Sequence, residues 1–271
     1  MSSEHRIEFS RDSIDLYLKE VAKAYRKIVG KDFPAEIVLI GGASILVNYG
    51  FRGMTTDVDA LIHASTGLKE AINQVGDKYD LPNGWLNSDF TKTRSYTPKL
   101  FEYAVYYRTY ANVLTVRTIT AEYLIAMKLR SGRQYKNDLS DVLGILAEHE
   151  KRGAPIIMAQ IQTAVQNLYG SWDSLPESSR QFIQRALDNP SPEVLYYQVA
   201  AAEKETKESL IAFEHKYPGA TNEANINDII KSLQERKRIL PNEQSNPAQQ
   251  ETTENVRKKK TPPRGKNELE L

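Results

Sequence analysis

The stretch VLIGGASILVNYGFRGMTTDVDALI, residues 38–62, constrains this chain more than any other. It opens inside a short apolar run, Glu36-Ile37-Val38-Leu39-Ile40, of the length and β-branched content of a buried strand. The run ends in Gly41-Gly42. Residues 43–49 follow as a short helix closed by Gly50, and residues 56–63 alternate as a second strand. A glycine-lined bend between a strand and a helix lets backbone N–H groups approach a bound anion. Glycine has no Cβ to obstruct that approach, and the helix N-terminus favours negative charge. Ser44 lies in the first turn, where its hydroxyl is expected to reach a phosphate oxygen. A plain packing turn fits Gly-Gly-x-Ser equally well.

Asp57 and Asp59 narrow the choice. Side chains two apart on a strand share a face, so these carboxylates project together, about 6–7 Å apart along the chain. Two neighbouring anions on a core strand repel and call for a cation. Mg²⁺ takes carboxylate and phosphate oxygens together, so the pair is expected to bind it with a nucleoside triphosphate. A strand end carrying two solvated aspartates is the bland alternative.

The flanking pattern gives the rest of the architecture. Ser10 caps a first helix with Ile14, Leu18, Val21, Tyr25 and Ile28 on one face and Gly30 at its end. A helix is expected over 66–79 and a loop over 82–95. Two Tyr-, Val- and Thr-rich strands follow over 100–110 and 112–118. Thr120 caps a helix that ends at Gly132, and Asn137 caps another. The fold class is therefore α/β (α+β), a small mixed sheet flanked by helices. Residues 1–152 are expected to form this domain and 153–240 an all-helical C-terminal region. Residues 241–271, nearly free of apolar side chains, are expected to be a disordered polar and basic tail.

Together, Gly41, Gly42, Ser44, Asp57 and Asp59 resemble the minimal nucleotidyltransferases of the polymerase-β-like superfamily. There the glycine turn and its serine hold a triphosphate, and the two acids hold the metal. Residues 121–146, AEYLIAMKLRSGRQYKNDLSDVLGIL, resemble the AbiEii-like branch, which includes abortive-infection toxins. That resemblance implies that Lys128 faces the triphosphate, that Arg133 is the arginine of the connecting turn, and that Asp138 and Asp141 close the pocket. It also implies an RNA end, such as that of a transfer RNA, or a protein as acceptor, with an antitoxin partner in a toxin–antitoxin or phage-defence setting. One departure from the superfamily is visible. The strand expected to carry a third acid has Thr115 and Arg117 instead, leaving Glu102 as a substitute if it points inward, or Asp138 as a base. Without a third acid, a weakened nucleotide-binding module on the same fold stays open beside the enzyme.

Composition excludes some classes. Lys and Arg total 36 against 35 Asp and Glu, a net charge of +1, so whole-chain charge predicts no polyanionic partner. Arg257–Lys260, with Arg264 and Lys266, form a basic run in the tail, an RNA contact at most by local charge. The absence of cysteine rules out disulfides and thiolate chemistry. No apolar run approaches the roughly 20 residues of a membrane span, and the polar N-terminus lacks a signal sequence, so a cytoplasmic location off the membrane is expected.

Overall fold

A computed structural model describes residues 7–63, 66–222 and 225–239. Helix α1 (Arg11–Val29) begins where expected. Ser10 Oγ accepts from the Ser13 N–H at 3.2 Å, and Ser13 Oγ accepts from the Ser10 N–H at 2.9 Å, a reciprocal cap. Ile14, Leu18, Val21 and Tyr25 are buried along one face. Ile28, expected to complete the stripe, is 36% exposed and lies beside Gly67 near the start of a later helix.

The sheet has five strands in the order β3-β2-β1-β5-β4. They are β1 (Ala35–Leu39), β2 (Val58–His63), β3 (Leu86–Asn87), β4 (Ala104–Tyr110) and β5 (Leu114–Ile119). Strand β1 lies antiparallel to β2 and parallel to β5, so the sheet is mixed. Both its faces are covered. Ile37, Leu39, Val58, Ala60 and Val116 pack with α1 and α3 (Thr66–Tyr79). Val38, Ile40 and Leu61 face the other way, onto α4 (Ala121–Ser131) and α5 (Asp138–Lys151). This two-sided burial is why β1 reads as a continuous apolar run rather than an alternating one.

Three local outcomes differ from expectation. Strand β3 lies within the Pro- and Asn-rich loop and pairs with β2, Asp59 opposite Asn87. Residues Pro98–Phe101 form a 3-10 turn rather than the start of a strand, since Pro98 supplies no N–H to a ladder. Helix α2 (Gly41–Asn48) starts two residues early, at Gly41 itself.

Beyond Pro155 the described residues contain no strand, as expected. Helices α6 (Met158–Tyr169), α7 (Glu177–Leu187), α8 (Pro192–Lys216) and α9 (Ile226–Ile239) follow. Ile161, Val165 and Ile183 pack into the same core as Leu124 and Leu129 of α4. Residues through Glu208 belong to one compact unit, and a second begins at Ser209, within α8. The expected tail and its basic run lie outside the described residues. Among the described residues, no helix is long and apolar enough to cross a membrane.

Candidate active site

The bend after β1 demands glycine twice. Gly41 has φ +54°, the left-handed region, and a Cβ there would lie 3.9 Å from Asp59 Oδ2. At Gly42 a Cβ would come within 2.7 Å of Thr55 Oγ1 and 3.0 Å of Arg52 Nη2, closer than atoms pack. The Ile40 N–H donates to the Asp59 carbonyl at 2.9 Å, which holds the bend against the second strand. The Asp59 carboxylate therefore looks onto the glycine turn with no side chain at Gly41 between them.

Asp59 projects from β2 opposite to Val58 and Ala60, on the α4/α5 face, and is half-buried. Asp57, just before the strand, is exposed, and Thr55 Oγ1 donates to its Oδ1 at 3.4 Å. Burial, reinforced by the charge of Asp57, pushes the Asp59 carboxyl up to about 6, only partly offset by Lys136, Lys128 and Arg133. This is an anionic pair short of positive charge, the environment a cation relieves. No third carboxylate or histidine joins it: among the described residues no group of three metal-ligating side chains forms. Two carboxylates suit a cation that completes its shell with phosphate oxygens and water.

Behind the pair runs a chain of ion pairs. Lys128 Nζ sits 3.0 Å from Asp138 and 2.8 Å from Asp141. Arg133 Nε donates to Asp138 at 2.8 Å, and the Arg133 N–H to the same oxygen at 3.2 Å. Arg52 Nη1 reaches both Asp141 oxygens, at 2.7 and 2.8 Å. Burial alone would depress the Lys128 ammonium, but Asp141 and Asp138 outweigh it and hold its pKa above the ordinary lysine range. Burial opposes charge on Asp138 too, yet Lys128 and Arg133 keep it well below the usual carboxylate range. A fully buried carboxylate held this way is a poor proton acceptor, so the geometry suits Asp138 to positioning rather than to the base role expected of it.

Three expectations meet different surroundings. Lys128 faces two carboxylates instead of open cleft. Ser44 is fully buried: its Oγ lies 2.5 Å from Thr118 Oγ1 and accepts from the Ile119 N–H at 3.2 Å. The early helix start turns it toward β5, so its hydroxyl ties α2 to the sheet and does not open onto the bend. Glu102 ends the 3-10 turn and is exposed, so it does not stand in for a third acid. Arg117 extends from β5 to Glu36 at 3.1 Å and to the Ala104 carbonyl, and Thr115 Oγ1 lies 3.3 Å from Thr109 Oγ1.

Residues 17–147 match the family described as "Nucleotidyltransferase of unknown function (DUF6036)". The matched span runs from α1 into α5 and holds the glycine turn, Asp57, Asp59 and the whole ion-pair chain. No curated protein and no solved structure matches the chain.

Two residues of the compact unit that ends at Glu208 carry no signal in the sequence. Arg52 is one. The other is Glu203 of α8, 4% exposed, which lies outside the matched span. It accepts from the Leu139 N–H at 2.8 Å, the Ser140 N–H at 3.2 Å and Ser140 Oγ at 2.5 Å, closing the first turn of α5. Burial pushes its carboxyl up to about 7 from 4.5, against those hydrogen bonds. A carboxyl raised on folding contributes stability that is complete below about pH 4.5 and lost as pH rises through about 7. Wild-type stability is therefore expected to fall by on the order of 2–3 kcal/mol across that window, and Glu203→Gln to lose that part of the slope. Urea unfolding of both proteins at pH 5 and 7.5 measures it; parallel slopes would contradict it.

Proposed function

We propose that this chain is a Mg²⁺-dependent nucleotidyltransferase, which binds a nucleoside triphosphate between the Gly41-Gly42 bend and Asp57/Asp59. One observation carries this: an underneutralised carboxylate faces a glycine of positive φ, so that a Cβ added at Gly41 would lie 3.9 Å from Asp59 Oδ2, and no side chain at that position stands between the carboxylate and the bend. Asp57 and Asp59 hold the cation, which when bound supplies electrophilic activation of the phosphates. The bend receives phosphate oxygens on its backbone N–H groups. The acceptor oxygen forms a bond to the α-phosphorus, the bond to the bridging oxygen breaks, pyrophosphate leaves, and the hydroxyl proton passes to water. Arg133, Asp138 and Asp141 hold Lys128 and the start of α5 in place around that cleft.

The similarity to a nucleotidyltransferase family supports the reaction class. The order Lys128, Arg133, Asp138, Asp141 supports the finer part of the proposal, an AbiEii-like enzyme. Its acceptor is then an RNA end or a protein side chain, its setting toxin–antitoxin or phage defence, and its partner an antitoxin. One observation favours a second reading, a slow or inert nucleotide-binding module: no third acid joins the pair among the described residues.

Incubating the protein with each α-labelled triphosphate, Mg²⁺ and total RNA distinguishes the two. We expect transfer of label to RNA or protein that Asp57→Ala abolishes. Binding of triphosphate without transfer, under every combination, would overturn the enzyme in favour of the module.

A further inference from the structure

Of the cationic side chains near the Asp59 carboxylate and the Gly41-Gly42 bend, three are already committed. Lys128, Arg133 and Arg52 each lie within 3.0 Å of Asp138 or Asp141. A cation bound in this way has little charge left for a phosphate unless its own partners let go, and those partners are almost wholly buried. Lys136 differs. It is exposed, and no carboxylate among the described residues comes within ion-pair distance, 4 Å, of its ammonium. Yet it is electrostatically part of the site: partial burial and the neighbouring Arg133 charge lower its pKa against the pull of Asp57, Asp138 and Asp59, and its own charge helps to hold down that of Asp59.

The backbone presents Lys136 from a closed turn. Gly132, in the left-handed conformation, ends α4, and α5 begins at Asp138. Arg133 binds Asp138 with both its N–H and its guanidinium, so the two ends of the short connection are tied together. A lysine on such a turn loses little backbone freedom when it takes up a ligand. Its side chain stays free to follow a phosphate, for which a compact ammonium with three donors is suited.

We propose that Lys136, rather than Lys128, contacts the phosphates of the nucleotide bound at Asp57 and Asp59. This rests on the triphosphate site proposed above and assigns the charge recognition within it. Lys128 becomes a positioning residue that fixes Asp138 and Asp141. Lys136 supplies the mobile positive charge that a phosphate chain brings toward two carboxylates requires.

Calorimetric titration with the four α,β-methylene nucleoside triphosphates in the presence of Mg²⁺ tests the assignment. At least one analogue should bind the wild type. Lys136→Ala should weaken it by about 10- to 100-fold, the loss of one charge-assisted contact, without changing the melting temperature. Lys136→Arg should restore most of the affinity. Equal affinity in wild type and Lys136→Ala would overturn this assignment alone and leave the site standing. If the wild type binds none of the four, the triphosphate site itself fails, and the assignment fails with it.

Discussion

Replacing Lys128 with methionine is expected to cost on the order of 3 kcal/mol of folding stability, more than any surface lysine would. Its side chain is 12% exposed, and the two carboxylates it joins are 0% and 3% exposed. Methionine fills a similar volume, so the loss is electrostatic rather than a cavity. Without the ammonium, Asp138 retains Arg133 and Asp141 retains Arg52, but two buried anions are left with less charge than they need. The remaining arginine contacts are why the cost stays nearer 3 kcal/mol than the upper end for a broken buried pair. A melting temperature lowered by roughly 6–12 °C is the expected readout for a chain of this size. Adding Asp141→Asn to Lys128→Met should recover part of the loss, since it removes one of the stranded charges. A decrease below 1 kcal/mol for the single variant would mean that the lysine is not held between the two acids in solution.

Asp59→Asn is expected to have the opposite signature: label transfer reduced by about a thousand-fold or more, with stability unchanged or improved. The catalytic loss follows from removing the better-buried of the two cation-holding carboxylates, a contribution of several kcal/mol to the transition state. The stability gain has an electrostatic cause. The Asp59 carboxyl is pushed up to about 6 from 3.8 by burial and by Asp57. A carboxyl raised on folding stabilises the protein below about pH 4, and that contribution disappears as pH passes 6. At pH 7.5 the neutral asparagine avoids the buried, repelled anion, for a gain on the order of 1–2 kcal/mol. The variant should also lose that segment of the stability–pH curve. Melting curves at pH 5 and 7.5, with transfer assays on the same preparations, check both parts. A destabilised variant would point to a structural role for Asp59, and a fully active one would remove it from the site.

What could be read from the sequence follows interaction range. The Gly41-Gly42 bend, the shared face of Asp57 and Asp59, the Ser10 cap and the stops at Gly30 and Gly132 are written within a few residues of one another. The bend, the cap and both stops are found in the structure, whereas Asp57, expected on the strand with Asp59, falls just before it. Arg52 and Glu203 left no such trace, because their partners lie 89 and 63 or 64 positions away and no periodicity marks them. The hairpin between β4 and β5 turns through Ala111 and Asn112, both with φ near +50°, without the glycine that ordinarily announces such a turn. Strand β3, two residues long, is too short for any alternation to register. Ser44 shows how a small error in a boundary propagates. Moving the helix start from Ala43 back to Gly41 rotates every later side chain by more than half a turn, and the hydroxyl expected at a phosphate goes to Thr118. Lys128, which the resemblance sets facing a triphosphate, has Asp138 and Asp141 as its partners.

Crystals grown with Mn²⁺ in place of Mg²⁺ and a non-hydrolysable triphosphate analogue, measured at the manganese absorption edge, address the site itself. An anomalous peak is predicted with oxygens of Asp57 and Asp59 at about 2.1–2.2 Å and the phosphate chain seated on the Gly41-Gly42 bend. A bound analogue with no manganese at those carboxylates, or one seated away from the bend, would contradict the account.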